Sequence, residues 1–578
     1  MLFKKILDEL RSFVKAEQEA SKNKLMSIWE KPLAKKLESG ETQAIAKLEV
    51  SEKSSLWLTL GNNESRFREG DMICLHTGIP HETAFVRQAT IEAENDGQWL
   101  VRPMELDAEA IRNMEGPYYA DVDGMDLRGY FDKALDDIAS STIGHEIILP
   151  LLAGQLNINL SSPHEYDAAA HFAASRGLND HQIEAVGNGV AATYLACIQG
   201  PPGTGKTKVI SVIAKLLVDQ GKSVLLTSHT HMAINNALNK IQEENIPVIK
   251  VGGLGTNKGL NAGVKLFAHG DDWEDRPGDG GYVIGATPFA TCTSRLENFE
   301  FDTVIFDEAS QITVPLAVMA MRKAKRFVFV GDHKQLPPVV LSKSVLDASD
   351  NSIFATLISM KSKTSVMLKQ TYRMNKQLSQ WPSVEYYNTK LTSIRSAETS
   401  RFILPKQPLN YIDELSGDNS FVFIKSPGVN ARTSNIEEAK LVCSIIASAI
   451  HAGINAKDIG VVTPFRNQAK IIKKNLSDKL GWATAKDIVT DTVERMQGQE
   501  REMILISLCA TDLLFIKNIA SFLLQPERLN VAITRPKTKL ILIGPDLPED
   551  FIINSDEKST VNLVKSYRSL VQFAKGQH

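Results

Sequence analysis

The sequence predicts an α/β protein in which two tandem open-sheet units follow an N-terminal helical stalk and a small β-barrel. Three observations predict it. The apolar period is helical over roughly the first 31 residues and becomes two between Thr42 and Pro103. From Leu195 to Gly544, short apolar strands alternate with helical patterns, as in parallel-sheet proteins. At the first of these strand-to-helix junctions stands GPPGTGKT, Gly200 to Thr207, and the later strands carry no second copy. The expected spans are 1–40 for the stalk, 41–105 for the barrel, 106–344 for the first sheet unit and 345–578 for the second.

A chain of 578 residues exceeds what one core supports. Its 43% hydrophobic and 23% charged residues are those of an ordinary globular protein. No window approaches the roughly 18 uninterrupted apolar residues of a membrane span, and the start, MLFKKILDEL, lacks the apolar core of a signal peptide. A cytoplasmic protein without membrane contact is the expectation. The five cysteines, Cys74, Cys197, Cys292, Cys443 and Cys509, are scattered, odd in number and mostly in apolar stretches, so they read as reduced core residues. No CxxC pair or Cys/His cluster offers zinc ligands. With a net charge of −3, any nucleic-acid contact has to come from a local surface.

In the stalk, Phe3, Ile6, Leu7, Leu10, Phe13 and Val14 form one stripe. Pro32 breaks the helix, and Leu33 to Leu37 restarts a short one ending near Gly40. Packing against the rest of the protein is favoured over a membrane-surface role. The barrel reads from LWLTL (Leu56–Leu60), MICLHTG after the Gly70-Asp71 turn, AFVRQATIEA and QWLVRP. Residues 106 to about 177 read as largely helical.

The phosphate loop has the context it needs. Leu195 to Ile198 is a buried strand and Val209 to Leu217 has helical spacing, so Gly200, Pro201, Pro202, Gly203, Thr204, Gly205, Lys206 and Thr207 open a helix whose N–H groups and dipole favour a phosphate chain. Lys206 is expected on the terminal phosphates and the Thr207 hydroxyl on a magnesium ion. Some twenty residues upstream, Gln182 in LNDHQ is a candidate adenine reader, because an amide pairs bidentately with that base edge.

Ser223 to Leu238, SVLLTSHTHMAINNAL, reads as a strand, a polar tip and a helix, with Thr227, Ser228, Thr230 and His231 at the edge where open sheets bind ligands. His229 and His231 lack a third metal partner nearby, and contact with a polymer backbone is the better reading. Ala268 to Gly281, AHGDDWEDRPGDGG, is acidic and aperiodic and is expected to be an exposed, mobile loop. In FDTVIFDEASQ a strand delivers Asp307 and Glu308 at its end. One carboxylate can hold magnesium while the next orients or deprotonates an attacking water. RFVFVGDHKQLPP ends in Gly331-Asp332, then Gln335, a polar tip suited to sensing a terminal phosphate.

The second unit shows strands at Phe421–Lys425, Ile459–Phe465, Met503–Leu508 and Lys539–Gly544 and a helix at Ile436–His451. Arg373 in QTYRMN and Arg535 in NVAITRPK are placed to face the phosphate loop across a cleft and to stabilise charge developing in phosphoryl transfer.

The ordered set LNDHQ, GPPGTGKT, TSHTHMAINNAL, GATPFA, DEASQ, GDHKQLPP, QTYRMN, VVTPFRNQ, DTVERMQGQE and RLNVAITRPK resembles the superfamily 1, class B helicases of the up-frameshift-like group, over roughly Leu178 to Gly544. The resemblance implies two tandem RecA-like domains and an ATP-dependent, magnesium-requiring helicase or translocase running 5′ to 3′. It implies that Gln182 reads adenine, that Lys206, Thr207, Asp307, Glu308 and Gln335 serve phosphate, metal and water, and that Arg373 and Arg535 span the cleft. By the same resemblance Glu500 contacts the ribose, and Thr230, His231, Thr287, Thr463 and Thr492 lie in motifs that line the single-strand track.

TSHTHMAINN resembles the DNA nuclease-helicase branch more than the RNA-decay branch, so single-stranded DNA is favoured over RNA, and a monomer is expected. A clamp or remodeller in which ATP only switches affinity is the alternative; the acidic pair and both arginines favour turnover. Against the family pattern, Pro536 replaces a small residue after Arg535, and the insertion before the acidic pair is short.

Overall fold

Val14 and Leu7 of the first helix, Leu2–Trp29, are buried with Ala134, Leu135 and Ile138 of the helix Arg128–Ser140, so the apolar stripe of the stalk is spent on the body of the protein. The computed structural model describes all residues except 52–54, 64, 96, 113, 254, 279, 343–350, 552–557 and 577–578. Pro32 ends the first helix and starts the next, Leu33–Ser39, which Gly40 closes with φ 71°, a left-handed cap that glycine takes without strain.

The barrel is closed by six antiparallel strands: β1 (Thr42–Val50), β2 (Leu56–Leu60), β3 (Met72–His76), β4 (Ala84–Asn95), β5 (Gln98–Arg102) and β6 (Tyr118–Val122). Two expectations are corrected here. The barrel does not end near 105, and residues 106–177 are not simply helical, because β6 pairs with both β1 and β3 and no barrel closes without it. Its core is Leu56, Leu58, Ile73, Leu75, Ile91, Trp99 and Val101. At the stalk junction a buried ionic knot joins Lys36 and Thr42 to Asp121, with His76 Nε2 3.4 Å from the same carboxylate.

The first large sheet is parallel throughout and contains β7 (Leu195–Gln199), β8 (Ser223–Thr227), β9 (Val248–Val251), β10 (Lys265–Phe267), β11 (Tyr282–Gly285), β12 (Thr303–Phe306), β13 (Arg326–Gly331) and β14 (Ser365–Met367). Its order is β10-β9-β11-β8-β12-β13-β7-β14. The expected boundary at 344/345 lies outside the described residues. The helix Ile353–Ser359 packs into the first core and β14 pairs with β7, so the first unit reaches beyond that boundary.

A two-stranded ribbon, β15 (Gln370–Thr371) and β16 (Thr392–Ser393), leads to the second parallel sheet. That sheet holds β17 (Phe421–Lys425), β18 (Ile459–Thr463), β19 (Val489–Thr492), β20 (Arg501–Ser507) and β21 (Pro536–Gly544) in the order β17-β21-β20-β18-β19. Both sheets are buried on two faces, which is why their strands read as continuous apolar runs. The described residues of 268–281 are mostly exposed, as expected, with local anchors. Trp273 is buried edge-on against Tyr282, and the Arg276 guanidinium lies 4.7 Å over the Phe299 ring. Two anchors of that kind hold an otherwise polar stretch to the core.

Candidate functional site

The phosphate loop joins β7 to the helix Lys206–Asp219, and its glycines are there for space. Gly203 and Gly205 have φ of 72° and 85°, and a Cβ on Gly200 would stand 2.2 Å from Lys206 Cγ. Lys206 Nζ donates to Gly200 O at 2.8 Å, so the ammonium lies over its own loop. Gln182 is buried and does two jobs: it closes a capping box with Asn179 on the helix Asp180–Ala191, and its Nε2 donates to Thr204 O at 3.0 Å. The proposed adenine reader therefore also braces the loop.

At the end of β12, Asp307 is buried, and Glu308 turns into the left-handed region with φ 49°. Among the described residues Asp307 accepts from Glu308 N at 2.9 Å and from no side chain. Burial, reinforced by the charge of Glu308, pushes it up to about 7 against the pull of Lys206. Glu308 accepts from Gln497 Nε2 at 3.3 Å, a contact from the second unit.

The tip after β13 completes the floor. Gly200 N donates to Gly331 O at 2.9 Å, tying the tip to the loop, and Gln335 Nε2 donates to Asp332 Oδ2 at 3.0 Å.

From the other side, Arg535 Nη2 reaches Gln335 Oε1 at 3.4 Å while its Nε donates to Val531 O at 2.8 Å. Burial, and after it the charge of Arg373, pulls the guanidinium down to about 9. Arg373 pairs with Glu500 at 2.7 Å and donates to Thr534 O at 3.0 Å, and a Cβ on Gly203 would meet its Cβ at 2.5 Å. Burial would raise Glu500, but Arg373 and Lys537 outweigh it and hold the carboxylate below its ordinary range. The ribose role implied for Glu500 thus sits beside a structural one. The backbone joins in: Tyr372 N donates to Gly203 O at 2.8 Å and Thr371 Oγ1 to Pro202 O at 2.9 Å.

Among the described residues, those assigned to the strand track share no hydrogen bond with the nucleotide residues; the track residues stand at or just past C-terminal strand ends. Thr230 is exposed and caps the helix His231–Gln242 through Ala233 N at 3.3 Å. Burial, then Lys250 and Arg295, pulls His231 down to about 4, so it is neutral near pH 7. Thr287 opens a single 3₁₀ turn, Pro288–Cys292. Thr463 and Thr492 end the neighbouring strands β18 and β19 in direct register, and both are buried. From there only backbone or a small part of the side chain faces a ligand.

Sequence reasoning passed over Tyr387, Asn530 and Gln497. An aromatic ending a helix of mixed polarity, an asparagine in a helix and a glutamine in a turn carry no local sign of a partner in another unit.

Whether the cleft suits ATP and a divalent ion is tested by its chemistry. The loop's N–H groups open a helix, its glycines leave a cradle that a Cβ would fill, and Asp307 and the Thr207 hydroxyl are hard oxygen donors. Thr227 Oγ1, Ser228 Oγ and Ser310 Oγ are buried without a described partner, as in a site that expects a polar guest. The residues fit.

Family models for AAA domains match residues 177–268 and 280–343 and, separately, 349–546. Curated relatives include the DNA replication ATP-dependent helicase/nuclease dna2 of Schizosaccharomyces pombe, 30% identical over 396 residues, covering 64% of this chain and 28% of that protein. The Homo sapiens DNA2 protein of the same description is 29% identical over 457 residues, covering 72% of this chain and 42% of that protein. The chain therefore spans less than half the length of these relatives. Among solved structures, an arterivirus nonstructural protein 10 (helicase) is 13% identical, with 90% of this chain and 82% of that chain covered and a TM-score of 0.39.

Proposed function

The chain belongs to the superfamily 1 helicases of the up-frameshift-like group, and from that premise we propose that it is an ATP-driven motor that moves 5′ to 3′ along single-stranded nucleic acid, DNA before RNA, and opens the duplex ahead. The observation that carries this reading is the contact of Arg535 with Gln335 across the cleft. A cleft lined from one side by a phosphate loop and an acidic pair, and from the other by a buried arginine, is built for turnover rather than for storage of nucleotide.

In this reading ATP, with a divalent ion that we take to be magnesium, supplies the phosphoryl group and the energy of its transfer. Lys206 and the loop N–H groups bind phosphates, while Thr207 and Asp307 hold the ion. Glu308, steadied by Gln497, accepts the proton of the attacking water. Arg373 and Arg535 offset charge as it builds on the transferred group, which in related chemistry is worth about 10³ to 10⁵ in rate.

DNA is favoured by the TSHTHMAINN string and by relatives described as DNA replication proteins. The deciding experiment measures ATP hydrolysis with single-stranded DNA, single-stranded RNA and neither, followed by strand displacement on tailed duplexes. Stimulation by DNA and displacement are expected. Stimulation without displacement would favour an ATP-switched clamp.

A further inference from the structure

Tyr387 ends the helix Lys376–Tyr387 of the second unit, is 2% exposed, and aims its hydroxyl out of its own core. The hydroxyl donates to Asp332 Oδ2 of the first unit at 2.7 Å and accepts from Asn530 Nδ2 at 2.7 Å. Asn530 in turn donates to Lys334 O at 2.8 Å. Asp332 is fully buried and holds the same tip from within, accepting from Gln199 Nε2 at 3.3 Å, Lys334 N at 3.2 Å and Gln335 Nε2 at 3.0 Å. Gln335 and Tyr387 therefore share one carboxylate oxygen. Burial, and after it the charge of Asp332, holds the Tyr387 phenol well above its ordinary range, so it stays a donor at every relevant pH.

We propose that Tyr387 is a positioning residue for ATP turnover: its hydroxyl locks the Asp332–Gln335 tip to the helix Pro526–Ile533, fixing Gln335 against Arg535. The inference rests on the reading of Gln335 and Arg535 as groups that act on the terminal phosphate. Asn530 lies on that helix, and Arg535 follows it by five residues with its Nε tied to Val531 O at 2.8 Å. A shift of the helix moves the guanidinium with it. Gln335 spends one N–H on Asp332, which sets its amide plane and presents Oε1 to Arg535. Without the phenol, the carboxylate loses a charge-assisted bond, and the hydrogen bonds left between the tip and the second unit among the described residues are Asn530 to Lys334 O and the longer one from Arg535 to Gln335.

The variant Tyr387→Phe removes one oxygen and conserves the edge-on ring contact with Tyr386. Strand-stimulated kcat is expected to fall about tenfold or more, with KM for ATP within about twofold and single-strand affinity unchanged, because only transition-state alignment is lost. A hydroxyl that merely satisfied a buried carboxylate would lower the melting temperature and leave kcat at saturating ATP intact, and that result overturns the inference. Should Tyr387→Phe not fold, Asn530→Ala carries the same expectation, since it removes the donor to Lys334 O and to the Tyr387 hydroxyl, and unchanged kcat there overturns it too. A wild-type chain without strand-stimulated hydrolysis would remove the functional reading and this inference together. A wild type that hydrolyses beside an unimpaired Tyr387→Phe removes this inference alone.

Discussion

Arg68 of the barrel and Asp491 of β19 form an ion pair at 3.3 Å across 423 residues of chain. The loop that carries Arg68 also places Glu69 3.0 Å from Lys258 of the first unit and gives Ser65 O to Lys470 of the second. One loop of the barrel thus touches both units: a loop after β9 in the first, and a strand and a helix of the second. Burial, then the like charges of Arg466 and Arg495, lowers Arg68 from its ordinary range. Three guanidiniums gathered next to Thr463 and Thr492 suit a phosphate backbone. Arg68→Ala is expected to weaken single-strand binding and to flatten the log-log salt dependence by about one unit, with strand-free ATPase retained. An unchanged salt slope would take Arg68 off the track.

Glu308→Gln should keep nucleotide binding and lose turnover by about 10²- to 10⁴-fold, since an amide cannot accept the water's proton. Equilibrium binding of a fluorescent nucleotide beside steady-state hydrolysis separates the two. Normal turnover would pass the proton to another group. Lys206→Ala is expected to abolish hydrolysis while single-strand binding persists, because the lysine lies over the phosphate loop and the strand edges are elsewhere.

Arg373 and Arg535 should differ from each other. Arg535→Ala leaves Gln335 Oε1 without its donor and is expected to cut kcat far more than it raises KM. Arg373→Ala also releases Glu500, whose remaining ion pair among the described residues is Lys537 at 3.5 Å, so both kcat and nucleotide affinity should suffer. Equal effects on the two parameters in both variants would contradict this division.

Stability at low pH is expected to hinge on the knot at the stalk. Burial works to raise Asp121, but hydrogen bonds from His76, Lys36 and Thr42 outweigh it and leave the carboxylate below its ordinary range. A depressed carboxylate contributes stability that is complete above its unfolded value, about 4, and is lost as pH falls through the lower folded value. Asp121→Asn leaves Lys36 buried beside a neutral amide and should cost about 3 to 5 kcal/mol. Denaturant melts of wild type and variant at pH 7 and pH 3 would show the gap narrowing in acid; a constant gap would refute the linkage.

Most of the two-sheet core was legible because its strands are buried on both faces and its polar residues stand at their ends. Thr303–Phe306 reads as a strand, and the acidic pair follows from it. What was not legible depends on partners far along the chain. Tyr118–Val122 closes the barrel by pairing with β1 and β3, yet alone it is the five residues YYADV after a Gly-Pro, too short to show a period. Val489–Thr492 is a strand only because β18 lies alongside it. Tyr387 reads as an aromatic in a helix, and its hydroxyl acquires meaning only when Asp332, 55 residues earlier, is folded against it. Local periodicity reports burial; it does not report which buried polar atoms find each other.

The direction of movement is the most exposed expectation. A duplex with a 5′ overhang should be opened and one with only a 3′ overhang left closed, an asymmetry that family membership implies. Physics asks only that closure loosen one unit's grip on the backbone before the other's. The barrel tests how grip becomes strand separation. Removing residues 1–104 would leave β6 without its partners β1 and β3, so the informative lesion is smaller: replacing 62–70 by a short Gly/Ser loop, which leaves β2 and β3 in place and erases the Arg68, Glu69 and Ser65 contacts. Displacement from a 5′ tail should then fall about tenfold more than strand-stimulated ATPase, because hydrolysis is assembled in the cleft while the lost contacts brace the barrel over the strand edges. Opening of 3′-tailed duplexes in preference to 5′-tailed ones would overturn the direction, and a parallel loss of both activities would make the loop part of the ATPase core.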